Sequence, residues 1–156
     1  TLRRVLAMQI FESVLSLAAA FTAQYGFHLQ PCILCLMQRV PYAAVILLAG
    51  IGLFLPPRAQ RAVIALCALA FFADAGIGFF QVGVEHHWWA SIDACGTPFG
   101  GGTSVEALRE EILRASLTPC DIPAFTLFGI SIAGFNFMGA SVFGAASLMA
   151  ALRTPK

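Results

Sequence analysis

Charge is what this chain has least of. Only 11% of its 156 residues are Asp, Glu, Lys or Arg, and the net charge is +1. Soluble domains carry about 25% charged residues, so an ordinary water-facing domain is excluded. There is no basic stripe, which argues against a nucleic-acid partner. A second C-x-x-C is also missing, so a zinc site built from two such motifs has only half its ligands in motif form. In place of charge stand apolar residues, 59% of the chain, at a mean hydropathy of +0.83. Gathered into long uncharged runs, they point to an integral membrane protein.

A spanning helix needs about 20 mostly apolar residues. Four runs qualify, at residues 5–27, 34–55, 62–84 and 123–152. They predict one membrane domain over residues 1–156, an all-α four-helix transmembrane bundle. Pro56-Pro57 stops the second run, and Pro123 suits the first turn of the fourth. The fourth run is roughly 30 residues long, which implies tilt or a start below the surface. Thr1-Leu2-Arg3-Arg4 before an apolar run imitates a signal peptide. The run is too long for one and lacks a clear cleavage site, so a retained first span is expected. Arg3, Arg4, Arg58, Arg61, Arg153 and Lys156 fall on one side of these spans, with Arg109 and Arg114 opposite and Arg39 near the boundary. The positive-inside rule then places both termini in the cytoplasm and the loop 85–122 outside.

That loop is too polar to cross a bilayer. Gly100-Gly101-Gly102 forms a flexible joint within it. Thr103 and Glu106 make a capping box, and Val105, Leu108, Ile112 and Ala115 recur at helical spacing. A short amphipathic helix on the membrane surface is expected there. Trp88 and Trp89 fit the interfacial aromatic belt.

The chain has five cysteines. Cys32 and Cys35 form a C-x-x-C at the edge of the second span, while Cys95 and Cys120 lie in the outer loop. Cys67 sits alone in the third span and is expected to be a small packing residue. In a bacterium the outer side is the periplasm, where disulfides persist. Pro31 precedes Cys32, so a helix should open here, and helix N-termini favour thiolates. Arg39 follows Cys35 by one helical turn on the same face. A guanidinium at that depth needs a partner, for which a thiolate or a reducible oxygen would serve; snorkelling to lipid headgroups is the plainer alternative. The thiols suit dithiol–disulfide exchange, against inert structural bridges or a zinc site, and their connectivity stays open. Asp74 and Glu12 are intramembrane acids. Asp74 lies among Ala73, Ala75, Gly76 and Gly78, where close helix contact makes bundle hydrogen bonding the expected role.

Three segments resemble the bacterial disulfide bond formation protein B (DsbB) family. Pro31-Cys32-Ile33-Leu34-Cys35-Leu36-Met37-Gln38-Arg39 is similar to its P-C-x-L-C-x-x-x-R. Gln81-Val82-Gly83-Val84-Glu85-His86 resembles the end of its third span. Cys120, followed by Phe125-Thr126-Leu127-Phe128-Gly129-Ile130-Ser131, resembles the opening of its fourth. Phe125 stands where the family often has tryptophan, and Ile132 where one branch has methionine. The resemblance implies a thiol–disulfide:quinone oxidoreductase of the inner membrane with its active cysteines on the periplasmic side. A reduced, thioredoxin-fold DsbA-like oxidase would attack a Cys95–Cys120 bridge at Cys95. Electrons would pass to Cys32–Cys35 and then to a ubiquinone or menaquinone held by Cys35, Arg39 and His86. A DsbA–DsbB–quinone route keeps the bacterial periplasm oxidising.

Two rivals remain. A vitamin K epoxide reductase-like enzyme is also a four-helix bundle with paired cysteines, but carries its C-x-x-C on the last span. A non-catalytic membrane scaffold would hold its disulfides unchanged.

Overall fold

The computed structural model describes residues 1–92 and 119–153. The expected amphipathic helix near residues 103–115 and Cys95 lie outside the described residues. Among the described residues, four helical segments are long and apolar enough to cross a membrane. Helix α1 (Leu2–Phe21) runs on into a π-helical turn (Thr22–Gly26). The second span is α2 (Ile33–Met37) followed by α3 (Arg39–Gly52), the third is α4 (Pro57–Glu85) and the fourth is α5 (Ile132–Arg153). A small antiparallel hairpin, β1 (Thr126–Leu127) with β2 (Ile130–Ser131), precedes α5.

The interruption at Gln38 has a local cause. Pro41 cannot donate to the carbonyl four residues back, and its ring crowds that carbonyl. Pro57 is tolerated at the start of α4, where a missing N–H costs no intrahelical bond.

The fourth span differs from expectation. It begins at Ile132, not near Pro123, and has 22 residues. Phe128 and Gly129 both take positive φ, 52° and 79°, the backbone of a two-residue hairpin turn. A helix cannot pass through such residues. The Ser131 hydroxyl then accepts from the Gly134 amide at 3.1 Å and opens α5. An apolar run has the same composition in either conformation, which is why hydropathy ran through the hairpin.

Helix α4 packs along both α3 and α5, and α1 packs against α3. One core cluster joins Leu6, Val45, Ala49, Val63, Ile64 and Phe71, with Leu2, Leu53 and Ala151 against it. At the other end of the bundle Cys32, Leu34, Val84 and Cys120 form a second cluster. The outward surface is apolar: Phe11, Leu15, Leu47, Ile51, Leu66 and Leu69 are all exposed. In water such a surface would be a liability; against lipid tails it is the natural boundary.

Candidate functional site

The bundle end that holds Cys32 gathers the close of α1, the start of α2, the last turns of α4 and the start of α5. Cys32 caps α2, its sulfur accepting from the Cys35 amide at 3.3 Å. That turn brings the two sulfurs to 2.7 Å, and both cysteines are free. The hydrogen bond with Cys35, and then burial, push the Cys32 thiol above its ordinary pKa. Cys32 therefore keeps its proton where an exposed cysteine would ionise. Cys120 is buried beside Cys32 and is engaged in a disulfide. Cys67 is free and fully buried in the other cluster, as its packing role requires.

Cys35 opens onto a cavity of about 430 Å³, within the usual range for small-ligand sites. Its polar rim includes Gln24, Arg39, Gln81, Glu85 and Asn136, and its walls include Leu17, Leu29, Pro123, Ile132 and Phe135. Arg39 donates from Nη1 to Gln24 Oε1 at 2.7 Å, and its guanidinium lies 4.8 Å from the centre of the Phe21 ring. The π-helical turn adds a residue to the last turn of α1 and carries Gln24 to this position; π-helical turns recur at functional sites. Arg39 Nε is buried and has no hydrogen-bond partner among the described residues. A buried donor without an acceptor is costly, and a carbonyl oxygen in the cavity would satisfy it.

Residues 2–150 match the family described as Disulfide bond formation protein DsbB. The chain belongs to the DsbB family. It is 28% identical over 158 residues to Disulfide bond formation protein B of Acidovorax sp., covering 97% of this chain and 88% of that one. It is 27% identical to the Polaromonas sp. protein of the same name, covering 87% and 82%. It is 34% identical to the Herminiimonas arsenicoxydans protein, in a match covering 54% of each chain. The chain thus spans about half the length of that last relative. No solved structure matches it.

Of the residues expected from the DsbB resemblance, the fold brings Cys32, Cys35 and Arg39 together and adds Cys120 behind the pair. His86 is placed elsewhere. It is exposed at the end of α4, stacked on Trp88 at 5.4 Å between ring centres, and does not line the cavity. The reason is geometric: His86 is the C-cap, with φ −90° and ψ 4°, so the chain has already left the helical face that Gln81 and Glu85 share. Trp89 folds back onto Gly83 and donates from its indole to the Phe80 carbonyl at 2.9 Å. It is therefore more than a belt residue. Sequence reasoning missed Gln81, Gln24 and Asn136. The only available signal was polar side chains inside otherwise apolar spans.

Proposed function

We propose that this DsbB-family protein oxidises the dithiol of a thioredoxin-fold disulfide oxidase and passes the electrons to a membrane quinone. The partner's thiolate attacks a Cys95–Cys120 disulfide, at Cys95, and forms a mixed disulfide. The partner's second thiol closes its own disulfide and leaves Cys95 and Cys120 reduced. Exchange with an oxidised Cys32–Cys35 pair restores the loop disulfide and leaves that pair as the dithiol. The pair then gives two electrons and two protons to the quinone, yielding quinol and the Cys32–Cys35 disulfide. The net change is partner dithiol plus quinone to partner disulfide plus quinol.

The carrying observation is Cys35 at the wall of an apolar cavity whose rim holds Arg39 with an unpartnered Nε. An electron acceptor that lives in the bilayer must meet sulfur at membrane depth. The free Arg39 N–H suits a quinone oxygen on which negative charge develops. When bound there, the quinone supplies the two-electron acceptor that no residue of this chain supplies. Cys120 packed behind Cys32 supports transfer between the pairs. The basic residues at the far end support cytoplasmic termini, and so cysteines facing the periplasm of a bacterial inner membrane.

The test is oxidation of a reduced thioredoxin-fold partner by the purified protein in detergent, with and without added quinone. The expected result is turnover that requires quinone. Disulfides that stay unchanged with reduced partner and no quinone would return the protein to a scaffold.

A further inference from the structure

A line of side-chain hydrogen bonds runs from the centre of the bundle to the thiol pair. Asn136 on α5 donates from Nδ2 to Asp74 Oδ2 at 2.7 Å and to Gln38 Oε1 at 3.2 Å. Gln38 donates from Nε2 to Gln81 Oε1 at 3.0 Å. Gln81 presents Nε2 to Cys35 Sγ at 3.4 Å, to Cys32 Sγ at 3.5 Å and to Glu85 Oε1 at 3.5 Å, with its Oε1 farther from Cys35 Sγ at 3.9 Å. The Tyr42 hydroxyl donates to the Asn136 side-chain oxygen at 2.6 Å. Asp74 is 0% exposed, Gln81 5% and Gln38 8%, so water has little access to these three, while Asn136 is half-buried at the cavity wall.

A carboxamide turned end for end keeps its shape but exchanges donor for acceptor. Three amides in series therefore need something to set their direction, and a carboxylate does so because it only accepts. With Asp74 taking an N–H, the Asn136 oxygen turns to Tyr42 and its second N–H goes to Gln38. Gln38 must then offer its own NH2 to Gln81, which turns the Gln81 NH2 toward the sulfurs and toward the Glu85 carboxylate, an acceptor that favours the same orientation. Reversing any one amide sets donor against donor on one side and acceptor against acceptor on the other.

We propose that Gln81 is the hydrogen-bond donor that stabilises the Cys35 thiolate, and that Asp74 is a remote positioning residue holding it in that orientation through Asn136 and Gln38. The inference rests on the relay proposed above in taking Cys35 as the reacting sulfur. Of the two sulfurs, the Gln81 donor is nearer the one that lines the cavity, and a hydrogen bond to a charged acceptor is the stronger kind.

The test uses the full chain in detergent, stripped of quinone, with Cys32→Ser to isolate Cys35. The rate of iodoacetamide alkylation of Cys35 across pH, followed by mass spectrometry, reads the thiolate midpoint; loosened access changes the rate but not the midpoint. Gln81→Leu, Asn136→Leu and Gln38→Leu are each expected to raise the midpoint by about one unit, so that alkylation at neutral pH slows about tenfold. Two interior links are included so that loss of folding in one leaves the other. Tyr42→Phe removes the hydroxyl's bond to the Asn136 oxygen and its contact with Asp74 but none of the N–H donations that run from Asn136 to sulfur, and should leave the midpoint in place. An unmoved midpoint in Gln81→Leu overturns the donor role. A shift in Gln81→Leu alone overturns the line to Asp74, and an equal shift in Tyr42→Phe shows general loosening and overturns it as well. Quinone-dependent turnover of the unsubstituted protein is measured in parallel. Its absence would overturn the relay and leave the midpoint comparison standing.

Discussion

Arg39 Nη1 and Gln24 Oε1 lie 2.7 Å apart, tying the first turn of α3 to the π-helical close of α1 across the mouth of the cavity. The bond uses one guanidinium nitrogen and leaves Nε buried and without a hydrogen-bond partner among the described residues. Arg39 is thus held in one orientation before any ligand arrives, and preorganised donors are what a site with developing negative charge needs.

Arg39→Ala should therefore slow quinone reduction by about tenfold to a hundredfold, from the loss of a charged hydrogen bond. Exchange with the partner oxidase should be nearly unaffected. Gln24→Ala should show a smaller loss of the same kind, because the guanidinium remains but its orientation is freed. Steady-state turnover with varied quinone, set beside single-turnover exchange with reduced partner, separates the two steps. Equal loss in both would make Arg39 structural.

Cys32 should be the slow thiol of the reduced pair. Its pKa is raised, so the neutral form persists to higher pH than in a free cysteine, and the thiolate is the species that alkylates. The pH profile for modification of Cys32 should lie to the alkaline side of that of an exposed cysteine, as measured by mass spectrometry after timed quenching. Restricted access of the reagent alone lowers the rate at every pH without moving the profile. Replacing Cys32 by Ser should leave Cys35 facing a bound quinone, with a visible charge-transfer absorbance that vanishes when quinone is extracted. A colourless quinone-loaded variant would count against that contact.

Cys95→Ser and Cys120→Ser should each abolish oxidation of the partner while leaving quinone binding intact, since the cavity is built from other residues. Quinone retained through purification measures the second property and partner redox state the first. Partner oxidation that survives either substitution would remove the loop pair from the route.

Gly83→Ala should destabilise the end of α4. A methyl group there runs into the Trp89 indole, and that ring is also held by its bond to the Phe80 carbonyl. Overpacking of this kind costs about 1–3 kcal/mol. The expected outcome is a lower Tm in detergent with an altered tryptophan emission. Adding Trp89→Ala should recover part of the loss, because it removes the obstructing ring.

The four spans, the thiol pair and its arginine were legible in the amino-acid order alone. The hydrocarbon core demands about 20 apolar residues per crossing, and one helical turn sets both the Cys32-to-Cys35 and the Cys35-to-Arg39 spacings, so these features are local. The tertiary structure decided the rest. It put Gln81 and Glu85, not His86, toward the cavity, and it turned the chain at Phe128-Gly129 before α5 could begin. It also aligned Asp74, Asn136, Gln38 and Gln81, whose bonded neighbours lie 62, 98 and 43 positions apart. An amide inside an apolar run carries no periodic signal, and its chemistry depends on which way a partner on another helix makes it face.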